Sequence, residues 1–230
     1  MEIDRAINSF GKINTYNKLC VSLSGGVDSM VLLHALKEYQ VRTKGYKTVK
    51  SFDITAVHIN YNNRDTCADE VTFVEDYCTR LQVPLRIRHI TDVTRKRDNT
   101  RGEYEEYTRQ IRFDTYTLEQ CPVILGHNYE DTVENIIANI ASKKKLGNLR
   151  GMTDAVTERG VTILRPFLQI SKNKIYEYSR THNIPHLPDS TPSWSRRGKL
   201  RDHIIPALDR YEPNFIKGLE YFIDASQFEN

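Results

Sequence analysis

Five short apolar runs recur along this chain, and each is followed by residues whose apolar positions return at helical spacing. Lys18-Leu19-Cys20-Val21-Ser22-Leu23 stops at a glycine pair and reads as a buried strand. Met30, Val31, Leu33, Ala35, Leu36 and Tyr39 then suit a mostly buried helix. Ile54-Thr55-Ala56-Val57-His58-Ile59 is β-branched and gives a second strand, with Val71, Val74, Cys78 and Leu81 on the helix behind it. Leu85, Ile87 and His89 alternate after Pro84 as a third strand, and Tyr104, Tyr107, Ile111 and Leu118 mark one face of the next helix. Pro122-Val123-Ile124-Leu125-Gly126 is a compact fourth strand, followed by a helix with the stripe Val133, Ile136, Ile137 and Ile140. Val161-Thr162-Ile163-Leu164 makes a fifth, and Ile175 and Tyr178 sit on a helix that Ser171 is placed to cap. This alternation predicts an α/β fold, a parallel sheet covered by helices on both faces, with a short helical C-terminal extension. The polar segment Asp92 to Glu106 is expected to be a mobile loop, and Pro185 to Arg201 an irregular stretch before the helical tail.

Composition narrows the class without naming a function. The 230 residues are 39% hydrophobic and 27% charged, as in an ordinary soluble globular protein. A net charge of +3 is compatible with a polyanionic partner but does not require one. Cys20, Cys67, Cys78 and Cys121 contain no C-x-x-C pair, which disfavours a zinc ribbon, an iron–sulfur site or a disulfide framework. The charged start Met1-Glu2-Ile3-Asp4-Arg5 lacks the apolar core of a signal peptide, and no apolar run approaches the ~20 residues that span a bilayer. A reducing, cytoplasmic compartment and no membrane partner are therefore expected.

The chemistry concentrates after the first strand. Ser24-Gly25-Gly26-Val27-Asp28-Ser29 follows a buried strand directly and opens a helix, so backbone N–H groups and the helix dipole converge on one spot. Gly25 and Gly26 remove side chains where a phosphate must come close, Ser24 and Ser29 add hydroxyls, and Asp28 is a ligand for a charge-offsetting magnesium ion. A plain turn would also accommodate these residues. Neither G-x-x-x-x-G-K-[ST] nor G-x-G-x-x-G occurs. Asp131 and Glu134, at i and i+3 just after the fourth strand, share a helix face preceded by His127. They can join Asp28 at magnesium and ATP, or Glu130 and Asp131 can simply complement the helix dipole. Arg109 and Arg112, also i and i+3, can meet phosphate or transition-state charge, or form a solvated face. Lys143-Lys144-Lys145 and Arg196-Arg197-Gly198-Lys199-Leu200-Arg201 are basic runs, the second beside Trp194, of the kind that neutralise RNA phosphates while an aromatic stacks on a base.

The S-G-G-x-D-S stretch at Ser24–Ser29 resembles the signature of the PP-loop, or N-type, ATP pyrophosphatases, whose fold is that of the adenine nucleotide alpha hydrolases. Further stretches are similar to the tRNA(Ile)-lysidine synthetases: Val57-His58-Ile59-Asn60-Tyr61, Arg109-Gln110-Ile111-Arg112-Phe113, Gly126 to Asn135, Gly151-Met152, Arg165-Pro166-Phe167-Leu168, Pro188-Asp189-Ser190, and Arg201 with Pro206. The likeness covers about residues 18 to 215. Asn128, Glu130 and Asn135 depart from that family's usual His, Asp and Thr, which touches fine substrate geometry more than ATP chemistry.

The resemblance implies an ATP-binding domain at 1–186 and a basic, helical extension at 187–230. It implies that Ser24, Gly25, Gly26 and Ser29 hold the leaving pyrophosphate, and that His58 flanks adenine, with Gly126 and His127 beside the nucleotide. Asp28, Asp131 and Glu134 would hold magnesium, and Arg112 would meet developing charge. The reaction implied is adenylation of the wobble cytidine of an isoleucine tRNA, then attack by free lysine. Lys143, Lys144, Lys145, Arg196, Arg197 and Arg201 would contact the RNA. The oligomeric state stays open, a homodimer included. A tRNA thiolase would use the same loop but needs cysteine pairs, and an amidating enzyme acting on a small molecule, or a nucleotide-binding module without chemistry, shares the loop without the basic runs.

Overall fold

The computed structural model describes residues 1–47, 49–62, 66–91, 101–189, 191 and 193–225. In chain order the elements are α1 (Glu2–Ser9), β1 (Lys18–Ser22), α2 (Val27–Thr43), β2 (Asp53–Asn60), α3 (Cys67–Arg80), β3 (Leu85–His89), α4 (Arg101–Thr117), β4 (Val123–Ile124), α5 (Tyr129–Ala141), β5 (Ala155–Glu158), β6 (Val161–Leu164), α6 (Lys172–Thr181), α7 (Arg196–Lys199), α8 (Ile205–Tyr211) and α9 (Phe215–Ala225). The strands form one six-stranded sheet in the order β3-β2-β1-β4-β6-β5. Its first five members are parallel, and β5 closes the edge antiparallel to β6.

Alternate side chains of the central strands feed two separate cores, which is why helices are needed on both faces. Leu19, Val21, Ile54, Ala56, Ile124 and Leu164 pack with α1, α2, α3 and α6, around Ile3, Ile7, Leu33, Leu36, Val74, Ile175 and Tyr178. Cys20, Val57, Ile59, Val123 and Ile163 pack on the other side with Ile111, Phe113 and Tyr116 of α4. Because β2 and β4 flank β1 on opposite sides, the order in which strands join the sheet reverses beside β1. In sheets of this order ligands bind outside the carboxyl ends of the strands at such a switch point, here those of β1 and β4.

Several expectations change in detail. The strand β5 was not expected. It enters through a two-residue hairpin at Arg159 and Gly160, both at positive φ, a turn whose twist matches paired strands. On α4, Tyr107 is exposed and Leu118 lies beyond the helix, whereas Thr108, Ile111, Thr115 and Tyr116 are buried, so the apolar stripe read from Tyr104 to Leu118 is displaced by one position. The loop expected from Asp92 to Glu106 lies outside the described residues at 92–100, and its part 101–106 is helix. Ser190 also lies outside the described residues. Within the stretch expected to be irregular, Arg196 starts a helical run that reaches Tyr211. This run widens into a π turn at Leu200–Ile204, where the N–H of Ile205 bonds the Leu200 carbonyl, just before Pro206, which has no N–H to give.

The C-terminal residues fold back on the sheet domain. Leu187 donates its backbone N–H to the Gly25 carbonyl at 2.9 Å, forming a short parallel bridge beside the first strand's loop. Ile223 and Leu219 of α9 pack on Ile136 and Leu149. Arg150 grips Asp224 through two nitrogens, and Tyr129 donates to Glu220 at 2.9 Å.

Candidate active site

The loop after β1 is held open by its own hydroxyls. Gly25 sits at φ +84°, a region that L side chains rarely adopt, and a Cβ there would lie 2.7 Å from Leu187 Cδ1. The buried Ser29 hydroxyl donates to the Gly26 carbonyl at 3.0 Å and accepts from the Ser24 backbone N–H at 3.1 Å. Ser29 thus braces the loop from within, while Ser24 stays exposed at the rim. Gly26 is the N-cap of α2 and supplies no side-chain cap, so the first-turn N–H groups keep their capacity for an anion.

His58 is bonded to the end of the segment that leads into this loop. It is 4% exposed, and its Nδ1–H donates to the Leu23 carbonyl at 2.8 Å. This bond ties β2 to the residue that follows β1.

The end of β4 comes so close that Gly126 has no room for a side chain. A Cβ there would stand 2.9 Å from the carbonyl carbon of Asp28, 3.0 Å from its oxygen and 3.1 Å from the Ser29 nitrogen. That approach brings the two strand ends together at Asn128, which is almost fully buried. Its Nδ2 donates to Asp28 Oδ1 at 3.0 Å, and its Oδ1 accepts from the Asp131 N–H at 3.1 Å. Asp131 returns the bond by accepting from the Asn128 N–H at 3.0 Å, which closes a capping box on α5. The departure at Asn128 is thus a helix cap that also holds Asp28. Burial pushes the Asp28 carboxyl above its usual range, against the pull of Lys172, whose Nζ pairs with Asp28 Oδ2. Glu130, the second departure, accepts the backbone N–H of Lys172 at 2.8 Å and so caps α6.

Asp131 and Glu134 face Arg197, which places Nη2 on Asp131 and Nε at 2.5 Å from Glu134 Oε2. Glu134 is 5% exposed, so this arginine neutralises a carboxylate cut off from water. The expected magnesium set of Asp28, Asp131 and Glu134 is therefore not assembled. Among the described residues no group of three or more His, Cys, Asp or Glu side chains converges on a metal position. Asp28 alone stands at the phosphate loop, which suits an ion held by one carboxylate and phosphate oxygens.

The second basic run is also corrected. Arg196 donates to the Ala138 carbonyl and Ser142 Oγ, and Arg201 pairs with Asp189 and Asp202. These arginines, with Arg197, are engaged by the protein and are not a free phosphate patch. Lys143, Lys144 and Lys145 are exposed and form no ion pair among the described residues. Arg109 turns away to Glu158, while Arg112 is half-buried and near enough to His127 to act on its charge.

His127 accepts a hydrogen bond at Nδ1 from Arg165 Nε at 3.1 Å, and Arg165 also donates to the Thr153 carbonyl. Arg165 lines an open cleft of about 1380 Å³ between α1, α5 and residues 147–156, which the phosphate loop does not border. Burial, with Arg165, Arg197 and Arg112, pushes the His127 imidazole down to about 4 against the pull of Asp131. It is neutral at pH 7. As pH falls from about 6.5 towards 4 the unfolded chain takes the proton first, so this group's contribution to stability is lost across that window. An NMR titration is expected to place the His127 midpoint near 4. A midpoint near the ordinary value of about 6.5 would contradict the burial and charge balance described.

The PP-loop domain family model matches residues 1–208. The tRNA(Ile)-lysidine synthase of Chlamydia muridarum (strain MoPn / Nigg) is 31% identical over 207 residues, covering 86% of this chain and 60% of that protein. The tRNA(Ile)-lysidine synthase of Staphylococcus aureus (strain COL) is 28% identical over 199 residues, covering 83% and 44% respectively. The chain thus spans about 60% or less of the length of these relatives. The U34-tRNA thiolase NcsA of Methanococcus maripaludis, solved with its 4Fe-4S cluster, shares the fold with a TM-score of 0.73 at 20% identity, covering 97% of this chain and 79% of its own. With the loop at the switch point and the family match in agreement, the chain belongs to the PP-loop domain family.

Proposed function

We propose that this protein is an ATP-dependent, RNA-modifying ligase that adenylates the wobble cytidine of an isoleucine tRNA and couples free lysine to it. In this reading residues 1–186 form the ATP-binding body, and 187–230 the basic loop and helical extension. Cytidine O2 attacks the α-phosphate and pyrophosphate leaves. A lysine amine then attacks the activated ring carbon, and AMP departs.

The observation that carries the reading is the charge set beside the phosphate loop. Asp131, Glu134 and Arg197, paired with one another, would present two anions and one cation to a ligand that parts them, beside a hollow of about 270 Å³ lined by Glu134, Thr191, Ser195 and Arg197. Lysine carries two ammonium groups and one carboxylate, the complementary set. Ser24, Gly25, Gly26 and the first turn of α2 would hold the pyrophosphate, and Asp28 a magnesium ion that offsets phosphate charge. Arg112, without an ion pair among the described residues, would meet charge on the transferring phosphate. Lys143, Lys144 and Lys145 remain as exposed cations for the RNA backbone. Cys121 precedes β4, at the opposite end of the sheet from this loop, and Cys20, Cys67 and Cys78 are buried, which favours a ligase over sulfur transfer.

The test is mass spectrometry of nucleosides from isoleucine tRNA incubated with ATP and isotope-labelled lysine. Label in the cytidine fraction is expected, dependent on ATP. Steady release of pyrophosphate with no labelled nucleoside would sink the reading.

A further inference from the structure

We infer that Lys172 is the phosphate-binding lysine of this site: it pairs with Asp28 in the nucleotide-free protein and passes to the pyrophosphate part of the nucleotide when magnesium takes its place on Asp28. The inference rests on the ATP use proposed above and not on the identity of the acceptor.

The phosphate loop has no lysine of its own, yet a chain of phosphates needs more positive charge than N–H groups provide. Lys172 brings that charge from a part of the chain 144 residues away. Its backbone is anchored at the start of α6, because the N–H is accepted by Glu130 at 2.8 Å. Its four-carbon stem is free to swing, and the side chain is 28% exposed. The ammonium group now rests at the first turn of α2, the turn whose N–H groups would face the anion, and 5.7 Å from the centroid of the Tyr176 ring.

The pairing also explains how the fold tolerates Asp28. A half-buried carboxylate beside Asp131 needs a cation, and Lys172 supplies one. A magnesium ion on Asp28 would repel that ammonium, and the phosphates arriving with the ion give it a new anionic partner. One cation is exchanged for another, so Asp28 is never left bare.

The experiment is calorimetric titration of the purified chain with inorganic pyrophosphate, with and without magnesium. Lys172→Met is expected to weaken binding by about 10- to 100-fold, as loss of a charged hydrogen bond does, while Lys172→Arg keeps most of it. Asp28→Asn frees the lysine, so pyrophosphate should bind at least as well as to the parent without magnesium and more weakly with it. A lysine that only held the fold would not produce that change of sign. Lys172→Met binding pyrophosphate as tightly as the parent would overturn the proposal. So would Asp28→Asn weakening binding equally in both buffers. Lysidine formation with binding indifferent to Lys172 would leave the ligase reading standing and this one fallen. Lys172-dependent pyrophosphate binding with no lysidine would do the reverse.

Discussion

Replacing Gly126 by alanine is expected to lower the melting temperature by roughly 6–12 °C and to weaken pyrophosphate binding at least tenfold. The added Cβ would meet three backbone atoms of Asp28 and Ser29 at 2.9–3.1 Å, and backbone in the first turn of a buried helix cannot rotate aside. Overpacking of this kind costs about 3 kcal/mol where nothing yields. Whatever does yield moves the start of α2 against β4, and with it the N–H groups that would face a phosphate. Gly147→Ala is the matched control, since a Cβ there has nothing within 4 Å. Thermal melting and pyrophosphate titration of both variants give the answer. If Gly126→Ala melts and binds like the parent, the close approach does not position the loop.

Arg197→Met should abolish more than 99% of product formation, yet change pyrophosphate affinity by less than about threefold. The substitution keeps most of the side-chain length and removes the cation shared by Asp131 and Glu134. Breaking a fully buried pair costs about 3–5 kcal/mol, but Arg197 is 56% exposed, so solvent screening reduces the expected loss of stability to about 2 kcal/mol. Arg197→Lys should fall between parent and Met, because a single ammonium cannot address two carboxylates through two fixed nitrogens. Arg196→Met, which loses bonds only to Ala138 and Ser142, should cost less than about 1 kcal/mol and leave turnover near the parent's. Product formation by Arg197→Met at the parent's rate would remove Arg197, and the charge set it completes, from the site.

The parallel strands and the phosphate loop were legible because their signals are local. A β-branched or apolar run of about five residues, a glycine pair and a helical repeat reflect backbone sterics and side-chain period, which need no knowledge of distant partners. β5 escaped because Ala155–Glu158 is a mixed edge segment with half of its residues exposed, and only the turn at Arg159-Gly160 marks it. On α4 the expected stripe holds at Ile111 but not at Tyr107 or Leu118, since Tyr is content at a surface where its hydroxyl stays wet.

The site itself divides along the same line. The chain's local pattern determined that Ser24–Ser29 is a glycine-bearing loop between a strand and a helix and that Asp131 and Glu134 share a face. Only the tertiary structure decided which cation meets which carboxylate. Lys172 reaches Asp28, Arg197 reaches Asp131 and Glu134, and Arg165 reaches His127, all across dozens of residues or more. A run such as Arg196-Arg197 reads the same whether it faces water, RNA or a buried glutamate. The free energy that separates these cases comes from desolvation and Coulomb attraction between groups brought together by packing, and neither is encoded in spacing along the chain.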